Sequence, residues 1–175
     1  TSQFQNNNKT KPYISLTLPA HKDREHFDIK KLDPFIDLFI IMGYDYNGNS
    51  SPEAVSPLQS EGVFSLKNTV EYFKESNIDV NKTILALPYY GILWNINPSE
   101  NDDFEAKIER KLTYTEIKNN FIENQELGSE VELDPISMSK IYRVAFEDNS
   151  IKEIHYDDAF TLSKKYDYAM NNDLQ

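Results

Sequence analysis

A carboxylate flanked by two phenols closes an apolar run at Met42-Gly-Tyr-Asp-Tyr-Asn-Gly48. Tyr44, Asp45 and Tyr46 bring two O–H groups and a strong acceptor into one short turn, a set suited to hydrogen-bonding a polar ligand. A second aromatic group, Tyr89, Tyr90 and Trp94, follows another apolar run further along. Other chemistries are poorly provided for. His21, His26 and His155 lack the spacing that ligates a metal, and there is no cysteine, so neither metal, thiolate nor disulfide chemistry is expected, and no cofactor.

The elements that position these groups read as alternating strand and helix. Residues 38–42 hold no polar member, which predicts a strand buried on both faces of a parallel sheet. Gly43 then permits close approach to the backbone. Residues 83–91 repeat the pattern of apolar strand, tyrosines and glycine. Between them, Ser65 can cap a helix over 66–76 whose Leu66, Val70 and Phe73 share one face. Strand, helix and strand make a right-handed βαβ unit with parallel strands. Both polar clusters then lie at the carboxyl ends, where α/β folds bind ligands. Residues 13–18 alternate and end at Pro19, predicting one more strand, while 21–31 reads as a loop with a helical turn. The segment 47–62, rich in proline, glycine and serine, reads as a binding loop or lid, and 1–11 as a polar surface segment.

A formal charge of −11 with no basic stripe argues against a nucleic-acid partner. No apolar run approaches the roughly 18 residues needed to span a bilayer, and the amino terminus has no signal-peptide core. The chain does not begin with Met, which suggests a processed, truncated or excised polypeptide.

Three segments, in order, resemble glycoside hydrolase family 18, the chitinase family. Met42-Gly-Tyr-Asp-Tyr-Asn-Gly48 is similar to the motif ending the family's sixth barrel strand. Leu85-Ala-Leu-Pro-Tyr-Tyr-Gly-Ile-Leu-Trp94 is similar to its seventh, with Ile92 in place of an arginine and Ala86 in place of a glycine. Tyr156-Asp-Asp-Ala-Phe-Thr-Leu-Ser-Lys-Lys-Tyr166 resembles the helix after the family's inserted domain. The resemblance implies an α/β fold: part of a TIM (β/α)8 barrel, strands five to seven, in residues 1–94, an inserted α+β subdomain in 95–156, and a barrel helix in 157–175. Within the insertion, Thr113 and Glu116 form a capping-box pattern with Ile117 and Phe121 inward, and 140–146 with 151–156 read as a hairpin. Asp157 is expected to cap the last helix, with Leu162, Tyr166 and Ala169 facing inward.

The family cleaves β-1,4-linked N-acetylglucosamine glycans with retention, using the substrate's own acetamido oxygen. By resemblance, Tyr44 and Asp45 are supporting residues that hold the acetamide and the reacting sugar, and Met42, Tyr46, Tyr90 and Trp94 complete the substrate-binding set. The general-acid motif, Asp-x-x-Asp-x-Asp-x-Glu, does not occur here; Asp102-Asp103-Phe-Glu105 has the wrong spacing and reads as a loop. Three strands cannot close a barrel, which typically takes about 250 residues. The implied protein is therefore a longer glycosidase on chitin or peptidoglycan glycans, with the catalytic Glu outside this chain and the chain alone inactive. The remainder of the barrel comes from the same or another chain, and the location implied is secreted or cell-envelope. The alternatives are a non-catalytic, lectin-like family member, or an interaction module.

Overall fold

The structure is a computed structural model that describes residues 12–20, 26–76, 78–98, 104–124 and 128–174. The segment 1–11, His21, Asp102 and Asp103 lie outside these. Strands β1 (Ser15–Pro19), β2 (Leu38–Met42) and β3 (Thr83–Ala86) form a parallel sheet in that order. Helix α1 (Ile29–Leu32), capped by Asp28, leads through a turn at Pro34 into β2. Helix α2 (Leu66–Glu75) links β2 to β3, and Ser65 Oγ accepts from Asn68 N as the capping pattern predicted.

One face of this sheet meets helices. Leu18, Phe39, Ile41 and Leu85 pack with Leu66, Val70 and Phe73 of α2 and with Ala169 and Leu174 near the carboxyl terminus. Strand β2 therefore differs from the expectation of burial on both faces: Phe39 and Ile41 are buried while Leu38, Ile40 and Met42 are half-buried. Their face, shared through the register with Thr17 and Ile84, is not covered by helices among the described residues. Gly43 meets its expectation, since a Cβ there would stand 2.7 Å from Leu66 Cδ2 and 3.0 Å from the Ala86 carbonyl.

The second layer is a five-stranded antiparallel sheet, β5-β4-β8-β7-β6. It comprises β4 (Tyr90–Pro98), β5 (Phe104–Thr113), β6 (Glu130–Asp134), β7 (Ser139–Ala145) and β8 (Ile151–Tyr156). Helix α3 (Tyr114–Ile117) runs on into a π-helical turn, Lys118–Ile122, and starts at the Thr113–Glu116 capping box. It covers Leu93, Leu112, Tyr142, Val144 and Ile154, with Ile117 buried and Phe121 edge-on to Tyr142 at 5.5 Å. The β7–β8 hairpin matches the sequence pattern.

Three sequence expectations are corrected. The run 83–91 is two strands: β3 stops at Ala86, Pro88 has no N–H for a ladder, and β4 opens the other sheet, so the 94/95 boundary falls inside a strand. Glu105 belongs to β5, an edge strand exposed along most of its length whose charged sequence hides its pairing. The cap of helix α4 (Ala159–Met170) is Asp158, which accepts from Thr161 N at 2.9 Å.

Asp157 has another task. Its carboxylate accepts from Lys165 Nζ at 2.5 Å, and the same ammonium donates to Ser139 Oγ at 3.1 Å. Lys165 is fully buried and takes the inward place expected of Tyr166, which is 37% exposed and whose hydroxyl pairs with that of Tyr89. Burial pushes the Asp157 carboxyl up and the Lys165 ammonium down, against their mutual attraction. Lys165→Met strands a buried carboxylate and is expected to cost about 3–5 kcal/mol in denaturant unfolding, whereas adding Asp157→Leu recovers most of it.

Candidate functional site

The carboxyl end of β2 turns sharply. Gly43 N donates to the Ala86 carbonyl at 2.9 Å, Tyr44 N returns to the Met42 carbonyl at 2.8 Å, and Asp45 adopts φ 58°. Aspartate tolerates this left-handed region better than most residues. The turn sends successive side chains apart. Tyr46 is buried in the α2-side core with its hydroxyl 2.7 Å from Thr69 Oγ1, so it does not reach the polar cluster it was expected to join. Asp45 faces the second sheet instead.

There the Tyr90 hydroxyl donates to Asp45 Oδ1 at 2.5 Å, and Lys111 Nζ lies 2.8 and 2.9 Å from Oδ1 and Oδ2. The ammonium also stands 4.8 Å from the centre of the Tyr90 ring. Tyr44 meets Tyr90 edge to face, with centroids 6.4 Å apart. Burial, then the bond to Asp45, raises the Tyr90 hydroxyl pKa, so it stays a donor. The Asp45 and Lys111 side chains remain 45% and 56% exposed. The carboxylate is thus held by two groups of the second sheet while its side chain stays half-exposed.

Trp94 is corrected. It is fully buried with Val55 and Ile92, and its Nε1 has no hydrogen-bond partner, so it has no face to offer a ligand. Met42 sits on the uncovered sheet face, half-buried at the strand's end. Lys111 was missed by the sequence reading. Its placement depends on the register that sets it opposite Ile92 across β4 and β5, and no local pattern marks that pairing.

The loop 47–64 is pinned rather than free. Ser56 Oγ donates to the Gly43 carbonyl at 2.6 Å, Tyr46 N to the Val55 carbonyl at 3.1 Å, and Leu58 N to the Ser137 carbonyl at 2.8 Å. A cavity of about 400 Å³ lies between this loop and the β6–β7 turn, bounded by Tyr46, Phe64, Ile136 and His155. Beside it a buried pair is tied to the surface: His155 Nε2 is 2.6 Å from Glu153 Oε1, and the half-exposed Arg143 donates from Nε to Oε2 at 2.6 Å.

Parallel strands joined by a helix, with a carboxylate and phenols at the strand ends, define an α/β domain with a candidate polar site. The family model of glycosyl hydrolases family 18 matches residues 1–175, and the chain belongs to that family. A Drosophila melanogaster relative named "Probable chitinase 2" is 26% identical over 167 residues, covering 86% of this chain and 34% of its own length. A family 18 chitinase from Cycas revoluta, solved with allosamidin, superposes with a TM-score of 0.75 at 20% identity, over 95% of this chain and 50% of that one. A chitinase-like agglutinin from Robinia pseudoacacia gives 0.72 at 20% identity, over 93% and 48%. The chain therefore spans about a third of the curated relative and about half of these solved structures.

Glu153 allows a pH prediction. Burial would raise its carboxyl pKa, but hydrogen bonds from His155 and Arg143 outweigh this, and the net shift is downward from 4.5. A carboxyl depressed on folding contributes stability above its unfolded pKa, and that stability is lost as pH falls through the folded value. Glu153→Gln is expected to lower stability at neutral pH and to flatten the decline below about pH 4.5, read from denaturant midpoints across pH.

Proposed function

We propose that this chain is part of a glycosidase acting on β-1,4-linked N-acetylglucosamine glycans of chitin or peptidoglycan type. Strands β1 to β3 are strands five to seven of a (β/α)8 barrel, β4 to β8 with α3 form the inserted α+β subdomain, and α4 is the barrel helix that follows. The observation that carries the reading is Asp45, held at a strand's carboxyl end by Tyr90 and Lys111, with Tyr44 beside it.

Hydrolysis is of the substrate-assisted retaining kind. Tyr44 donates to the acetamide oxygen as that oxygen attacks the anomeric carbon, and Asp45 orients the acetamide nitrogen of the same sugar. The general acid, which protonates the departing glycosidic oxygen so that its bond to the anomeric carbon breaks as the oxazolinium ring closes, is a Glu outside this chain. Tyr90 lends part of its ring as an apolar wall, and Met42 borders the sugar from the sheet face. A placement outside the cell or in its envelope follows from such a substrate; among the described residues no helix is long and apolar enough to cross a membrane.

A second reading, sugar binding without turnover, is favoured by the agglutinin's likeness. The two separate in one experiment. The 175-residue chain alone is expected to hydrolyse no chitooligosaccharide. In the full-length protein, Asp45→Ala and Tyr44→Phe are each expected to lower kcat/KM by about 10²-fold. Binding without turnover by the full-length wild type supports the lectin-like reading, and the absence of both binding and turnover refutes the two together.

A further inference from the structure

We propose that Lys111 is the positioning residue of the Asp45 site, reaching it from the second sheet. This rests on the reading of Asp45 as a holder of an N-acetylated sugar. A carboxylate offers about four lone-pair directions. Lys111 Nζ occupies one on each oxygen, at 2.8 and 2.9 Å, and the Tyr90 hydroxyl takes another on Oδ1. These three contacts hold the plane of the carboxylate in a set direction toward a bound sugar. The same ammonium lies 4.8 Å from the Tyr90 ring centre, so one cation orients both the carboxylate and the phenol that donates to it.

The cation arrives across a strand pair. Ile92 stands opposite Lys111 in the β4–β5 register, and its own side chain is buried with Val55 and Trp94. The parallel sheet thus supplies the carboxylate and the antiparallel sheet supplies the group that aims it. A half-exposed pair of this kind adds little to folding stability. Its effect falls on the ligand.

The test uses the full-length protein and a chitooligosaccharide. Lys111→Met is expected to weaken binding about fivefold with an unchanged melting temperature, and Lys111→Arg to restore it to within about twofold. In an Asp45→Asn background, Lys111→Met is expected to add no further loss. An equal loss in that background, wild-type affinity in Lys111→Met, or a lowered melting temperature that Lys111→Arg does not recover overturns the inference while leaving the proposed function standing. A wild-type protein that binds no N-acetylglucosamine oligomer overturns both.

Discussion

Asp45 holds φ 58°, and that single backbone reversal divides the residues after β2 between two layers. A left-handed conformation costs a non-glycine residue roughly 1–2 kcal/mol. The turn is maintained by what it aligns. Tyr46 is driven beneath α2 onto Thr69, and Asp45 is turned out to Tyr90 and Lys111. Beyond it, Ser56 closes back on the Gly43 carbonyl, so the long loop starts and returns at the same place. A relaxed turn would unseat both the core tyrosine and the polar site.

Among the described residues the two sheets keep separate cores, and the small cluster of Val55, Ile92 and Trp94 mixes the loop with the second sheet. Much of the remaining joint is polar. Lys165 reaches from α4 to Asp157 and Ser139, while backbone bonds tie residues 58 and 59 to the β6–β7 turn. Buried ion pairs are weak sources of net stability because desolvation offsets attraction. Hydrogen bonds are directional, however, and apolar contact is not. The polar ties therefore set angle and register where apolar packing would permit sliding.

Burial separates aromatic residues that look alike in the chain. Tyr90 and Trp94 lie on one strand, yet the first is partly open with its hydroxyl on a carboxylate and the second is sealed beneath Val55. Gly91 contributes to the difference. A Cβ there would come within 2.7 Å of the His155 carbonyl, so its absence lets β8 sit close against β4. Strand β4 is thus at once a wall of the site and a core strand of its own sheet.

Much of the local structure was legible in the sequence. Strand β2, helix α2 with its Ser65 cap, the Thr113–Glu116 box and the β7–β8 hairpin all depend on short-range pattern, which one segment carries entire. The Tyr44-Asp45 pair was legible as a strand-end motif for the same reason. What the sequence could not determine is which residues meet. Lys111 finds Asp45 across 66 positions, Lys165 displaces Tyr166 because Asp157 is buried opposite it, and Trp94 is core because the loop lands on it. Strand β5, charged and exposed, becomes a strand only when β4 lies beside it. The sequence by itself determined the elements that one segment carries entire, and the carboxylate at the end of β2. Only the tertiary structure decided that carboxylate's partners, because register and close packing between distant segments have no signature within either one.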